Sequence, residues 1–322
     1  MKQLLRVSLG ALCMVLVATL AACAPDESAV EIGTLSDAQS ARILVTTDFG
    51  KHVVLDALVT VSPGSSAMDV LAQVANIDTS YGGGFVEGIN GIGTGVSGRA
   101  ARVDWFYSVN GFTARTGAAN YRLHDGDMVH WDYRDWSFRR NVTATLGSFP
   151  AALSRGYAGE TRATTVVYGD DFESQAKQLA LVLQSTGVDA VKVVSLQHVN
   201  GEILGRDNIV LVALPEATLV QEVNESWDRL GLFAHLDGRT LHTYGAGGDS
   251  VGLHSASAAV ILALQNPWNP SGTGACESVA IVITGCDKES VAAAAHILGR
   301  EYTELSRFAG AVVQGDSWVA LP

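Results

Sequence analysis

Asn110-Gly111, set directly behind Val103-Asp-Trp-Phe-Tyr-Ser-Val109, is the feature that most restricts how this chain can fold. Two residues that tolerate positive φ, following an aromatic run that alternates in character, predict a tight turn closing a β-strand. Residues 42–47 and 52–61 are β-branched runs separated by Asp48-Phe49-Gly50, a hairpin-like start. Past the turn at Ser62-Pro63-Gly64, Ser65-Ser66-Ala67-Met68-Asp69 precedes a stripe of Val70, Leu71 and Val74, which predicts a short helix with a capped start. The glycine-rich residues 81–98 read as a loop, and His124-Asp-Gly-Asp127 as a turn into a strand over 128–133. Two strands, a helix and further strands predict a small α+β domain, β-grasp-like in order, over residues 41–138.

Three motifs in that stretch occur in order: Ile89-Asn90-Gly91, Trp105-Phe-Tyr107-Ser-Val-Asn110-Gly111, and Gly117-Ala118-Ala-Asn-Tyr121-Arg-Leu123-His-Asp125-Gly126-Asp127. They resemble the transcobalamin-like C-terminal domain, over most of residues 53–135. In the transport proteins that give that family its name, the domain closes over one face of cobalamin, and bacterial versions often sit in surface lipoproteins. The resemblance therefore implies the fold and, more remotely, a corrinoid as bound ligand rather than catalytic cofactor.

The residues themselves suggest where a flat, partly apolar ligand would lie. Trp105 and Tyr107 are two apart and share one face of their strand; Trp131 and Tyr133 repeat the arrangement, with Trp136 just beyond. The candidate ligand contacts are Tyr81, Phe85, Asn90, Trp105, Tyr107, Asn110, Tyr121, Trp131 and Trp136. Tyr81 and Phe85 lead, because aromatics in a loop are seldom there for packing; Trp105 and Trp131 read first as the core of a small sheet. Gly93-x-Gly95-x-x-Gly98 matches the dinucleotide fingerprint by letter. A loop precedes it and a strand follows, so no helix N-terminus would meet a pyrophosphate, and nucleotide binding is not expected.

After Arg139-Arg140 the pattern changes. Strands are expected at 164–167, 190–194, 208–213 and 279–284, and helices at 172–183, 218–230, 254–264 and 288–300. This alternation predicts an α/β domain over 141–322, with a mainly parallel sheet and helices on both faces. Ile209-Val-Leu-Val212 with Pro215, Ala259-Val-Ile-Leu-Ala-Leu-Gln-Asn-Pro-Trp-Asn-Pro270, and Ala280-Ile-Val-Ile-Thr-Gly285-Cys-Asp287 resemble the C-terminal region of surface-layer proteins. Where that family has a double glycine, this chain has Ala213-Leu214-Pro215-Glu216. Polar groups at strand ends include Glu216, Asp287 and Asp170-Asp171, and His242, Asp249 and His254 flank a second glycine-rich stretch. No Gly-x-Ser-x-Gly stands at a strand-to-helix elbow, and there is no His-Glu-x-x-His or Walker A motif, so neither an enzyme nor a metal or cofactor site is expected.

Met1, Lys2 and Arg6, the apolar run Leu9 to Leu20, and Ala21-Ala22 before Cys23 form the three parts of a secretory signal peptide, residues 1–22. Leu20-Ala-Ala-Cys23 resembles the bacterial lipobox. That resemblance implies lipidation of Cys23 and an extracytoplasmic chain held to a membrane, with residues 23–40 as a polar, disordered tether. Removing residues 1–22 takes away Lys2 and Arg6 and no acid, which leaves 19 Lys+Arg against 33 Asp+Glu, a net charge of −14. A chain so acidic lacks the field needed for nucleic acid. Cys276 and Cys286 remain; the spacing permits a disulfide in an oxidising compartment, with two buried thiols as the alternative. The sequence thus points to a lipid-anchored, extracytoplasmic ligand-binding protein, with the membrane, a transporter component and the cell wall as candidate partners. A surface-assembly or adhesion module without a small-molecule ligand is the other reading.

Overall fold

Residues 39–93 and 102–322 are described by a computed structural model. The signal peptide, Cys23, the tether up to residue 38, and Gly95 and Gly98 lie outside the described residues. The chain opens with β1 (Gln39–Thr47) and β2 (His52–Val61), paired antiparallel across the Asp48-Phe49-Gly50 turn. Gly50 has φ +84°, and a Cβ there would sit 2.0 Å from the carbonyl of Arg307, so the turn is wedged against a distant segment. Helix α1 (Ala67–Val74) starts at a complete capping box: the Ser66 hydroxyl accepts from the Asp69 amide, and the Asp69 carboxylate accepts from the Ser66 amide.

The glycine-rich stretch is more ordered than its composition suggests. Strands β3 (Ile77–Ser80), β4 (Phe85–Ile89) and β5 (Ile92–Gly93) form a small antiparallel sheet, with one 3₁₀ turn at Tyr81–Gly83. Strand β6 (Val103–Val109) turns at Asn110-Gly111 into β7 (Phe112–Thr113), with positive φ at both turn residues as an I′-type hairpin demands. Strand β8 (Asp127–Asp135) then inserts between β1, to which it runs parallel, and β6, to which it runs antiparallel. The sheet order is β2-β1-β8-β6-β7.

A seven-stranded sheet follows. Strands β9 (Thr164–Tyr168), β10 (Val191–Ser195) and β11 (Asn208–Val212) are parallel. Between them lie α2 (Glu173–Ser185) and α3 (Gly201–Arg206), and α4 (Thr218–Glu225) comes after β11. Strands β12 (Ala234–Asp237), β13 (Thr240–Tyr244) and β14 (Ser250–His254) make a separate antiparallel sheet. The large sheet resumes with β15 (Ala259–Gln265) and β16 (Val279–Gly285), both buried along their whole length, then α5 (Lys288–Arg300), β17 (Gly310–Gln314) and β18 (Ser317–Leu321). Its order is β10-β9-β11-β16-β15-β17-β18.

Three features differ from the sequence reading. The expected helix at 254–264 is instead the end of β14, a bend and β15; a run without periodicity fits a strand buried on both faces as well as a buried helix. The large sheet is parallel from β10 to β16, but β15, β17 and β18 pair antiparallel, so it is mixed rather than mainly parallel. The expected helix at 218–230 stops at Glu225.

The described residues fall within one compact unit. The segment after Arg140 is not an open linker, since Val142, Ala144, Leu146 and Leu153 are buried. Thr143 stitches the sheets together: its carbonyl accepts from the Thr113 amide of β7 and from Gln265 Nε2 of β15. The molecule is a mixed, sheet-rich α+β structure with several sheets and few helices.

Candidate functional site

The register of β6 against β8 decides which aromatic rings meet. Trp105 lies opposite Tyr133 and Tyr107 opposite Trp131, all four on one face of the sheet. Tyr107 stacks on Trp131 with ring centroids 4.8 Å apart and 23° between planes, and Trp105 tilts against Tyr133 at 5.2 Å. Tyr107 and Tyr133 also tie down their hydroxyls, donating to the carbonyls of Thr116 and Gly93. Burial pushes the Tyr107 phenol far above its usual range, so it stays a neutral donor.

Above these rings α1 supplies Met68, β4 and its approach supply Gly84, Phe85 and Val86, and the turn after β7 supplies Ala114, Gly117 and Ala118. Together with Trp105, Tyr107 and Trp131 they line a groove of about 200 Å³. That is smaller than a pocket that swallows a drug-sized molecule, and it suits contact with one face or edge of a larger ligand. Tyr81 stands at the rim, 81 % exposed with φ +49°, edge-on to Phe85 at 6.4 Å. Trp131 is only 3 % exposed, yet its indole N–H has no hydrogen-bond partner among the described residues. Trp105, by contrast, donates its N–H to the Ile92 carbonyl at 3.2 Å. A buried N–H left unpaired costs about 1–3 kcal/mol, and this one is closed off from the groove surface.

Of the nine residues singled out from the sequence, four line the groove (Phe85, Trp105, Tyr107 and Trp131), and Tyr81 joins them through Phe85. The others do different work. Asn110 is fully buried: its amide donates to Asp127 Oδ1 and the Gly156 carbonyl, both at 2.8 Å, and its oxygen accepts from the Met128 amide. Tyr121 donates to Asp127 Oδ2 at 3.2 Å and accepts from the Ala158 amide. The Asp127 carboxyl at the centre of this network is pushed up by burial, against the hydrogen bonds from His124, Asn110 and Tyr121. Asn110 and Tyr121 therefore brace the fold rather than a ligand. Asn90 ties its turn to the residue ahead of β3 by accepting from the Asn76 amide, and Trp136 lies half-buried outside the groove under Arg140. The sequence reading missed Met68, Val86 and Ala118, whose only signal was membership of apolar runs.

The strand-end groups of the second half are likewise engaged. Asp287 caps α5, accepting from the Ser290 and Ser257 amides, and these bonds hold its carboxyl below the usual range. Glu216 pairs with Arg239 at 2.5 Å. Gly248-Asp-Ser250-Val-Gly252 has the letters of a nucleophile elbow but sits at the β13–β14 hairpin, where no helix follows. Cys276 and Cys286 are free and buried in the structure: Cys276 Sγ contacts the Thr113 carbonyl and Cys286 Sγ the His254 carbonyl. Among the described residues no group of three or more His, Cys, Asp or Glu side chains is placed to hold a metal ion, and no helix is long and apolar enough to cross a membrane.

Comparison with known proteins adds three findings. A family described as a domain of unknown function (DUF4430) matches residues 64–135, the stretch that holds α1, the groove and β8. No curated protein matches the chain. Among solved structures, a crystal structure of haptocorrin in complex with Cbi is similar at 18 % identity, covering 31 % of this chain and 26 % of that one, with a TM-score of 0.25. The chain thus spans about a quarter of that protein's length, and a likeness of this size carries no argument about fold or ligand.

Proposed function

We propose that this chain is a binding protein held outside the cytoplasm by a lipid on Cys23, and that the β6–β8 face takes one side of a flat, partly apolar ligand, with a corrinoid as the first candidate. The observation that supports the reading best is the groove itself. It offers stacked rings and, at the rim, the exposed Tyr81 set against the half-buried Phe85. Stacked aromatic surface with a small number of fixed polar groups is how binding sites combine affinity with orientation. The motifs that resemble the transcobalamin-like domain supply the choice of corrinoid, and the family match falls on the same residues. Capture is the mechanism: contact and desolvation of the rings, with no covalent step. The lipid would keep the protein beside an importer.

The test is a titration of residues 24–322 with cobalamin and its incomplete analogues, followed by tryptophan fluorescence and corrected for absorbance by the corrinoid. Saturable quenching at about micromolar ligand or tighter, a binding free energy near −8 kcal/mol, supports capture. Absence of saturation with every corrinoid overturns it, and the envelope-assembly reading then leads.

A further inference from the structure

The other face of β6 and β8 holds a second feature that the groove does not use. His130, Asp132 and Arg134 of β8 and Phe106 and Ser108 of β6 point there, against Phe49, Arg307 and Ala309, around a cavity of about 20 Å³. That is room for one water-sized occupant. Arg134 is 5 % exposed, and among the described residues its guanidinium forms no ion pair and its Nε–H has no partner. Arg307, on the opposite wall, also has an unpaired buried Nε–H.

A buried guanidinium normally sits on a carboxylate, because an unpaired buried charge is strongly destabilising. Two carboxylates are near. Asp104, opposite Arg134 in the β6–β8 register, does not line the cavity. Asp132 attracts Arg134 but forms no ion pair with it, accepting instead from the Thr46 hydroxyl at 2.7 Å and from the Phe49 and Gly50 amides at 3.1 and 3.2 Å. The rings of Phe106 and Phe49 lie 4.6 and 5.4 Å from Arg134 Cζ and offset part of its charge, but they leave the Nε–H unanswered. His130 is uncharged at neutral pH, since burial lowers its pKa to about 4. The walls therefore carry two cations against one anion.

We propose that this cavity binds a single chloride-sized monovalent anion between Arg134 and Arg307. It completes the charge balance at the junction of the two large sheets, a role separate from the aromatic groove. The occupant is limited by volume: a phosphate or a carboxylate-bearing metabolite exceeds the space of about 20 Å³, which admits a single-atom anion between the two guanidinium-bearing walls.

The full chain is unfolded thermally in sodium chloride and in sodium gluconate at equal ionic strength, and it is crystallised with bromide. The expected results are a midpoint that climbs with the logarithm of chloride concentration but not with gluconate, and an anomalous bromide peak within hydrogen-bond reach of Arg134. Arg134→Met, which removes the charge at similar volume, should weaken apparent chloride affinity by roughly thirtyfold or more. If that variant does not fold, the bromide peak in the unaltered chain still decides. Equal midpoints in the two salts, or an ordered water where bromide should sit, overturns the proposal.

Discussion

Acidification should destabilise this protein through one residue. His130 is buried, and its Nε2 lies 2.7 Å from the Thr46 hydroxyl. That hydroxyl donates to Asp132 Oδ1, so the imidazole must be the donor to Thr46, in its neutral form. Burial lowers the folded pKa to about 4, with Asp132 pulling the other way and Arg134 adding to the drop. In the unfolded chain the same group titrates near 6.5. As pH falls below the unfolded value, the unfolded chain binds a proton that the folded chain refuses, and stability is lost until the folded value is reached. The loss is about 1.4 kcal/mol per pH unit across that window, roughly 2 kcal/mol by pH 5 and roughly 3.4 kcal/mol once both states are protonated. Urea unfolding of the full chain and of His130→Gln, between pH 7 and pH 4 in chloride-free buffer, measures it; chloride is excluded because an anion in the adjoining cavity would raise the imidazole pKa. Carboxylates elsewhere, including Asp127 with its raised pKa, titrate in both proteins and cancel in the difference. The variant should be less stable at neutral pH, and its deficit should shrink or reverse by about pH 4. Parallel pH curves for the two proteins would refute the argument.

The same structure predicts four other outcomes. Asn110→Ala removes three buried hydrogen bonds and puts alanine at φ +51°, so urea unfolding should show a loss of about 3 kcal/mol or more. Ser66→Ala deletes half of the α1 capping box and should cost about 1 kcal/mol in the same assay. A thiol reagent applied to residues 24–322 should find no reactive thiol until denaturant is added, and then two; a count of zero after unfolding would show a disulfide instead. If the groove binds corrinoid, Tyr81→Ala with Phe85→Ala should weaken the fluorescence-measured affinity at least about tenfold.

What could be read beforehand was local. The β1–β2 hairpin, the Ser66 cap, the Asn110-Gly111 turn and the faces of Trp105, Tyr107 and Trp131 all follow from residues a few positions apart. What could not be read depended on distant partners. Asn110 looks like a free turn amide until Asp127, seventeen residues on, is buried beside it and needs donors. Residues 259–265 carry no period, and only their place between β16 and β17 makes them a strand. The groove was legible as rings on one face, but its walls come from α1 and β4, and no spacing reports how these fold over β6. The cavity beneath was invisible for the same reason: Arg307 reaches it from the far end of the chain.

The place of β8 has a consequence for synthesis. It is the central strand of the first sheet, between β1 and β6, so neither neighbour has its full set of backbone partners until residue 135 has been made. Closure waits longer still at Thr143, whose acceptor role is completed by Gln265. Long-range pairing of this kind is slow to nucleate because loop closure precedes the contacts that reward it. A nascent chain halted anywhere before residue 127 would expose the β1 edge as a row of unpaired amides and carbonyls, a template for aggregation. The first sheet thus gains its central strand only at residues 127–135, and its link to the second sheet only when Gln265 has been made.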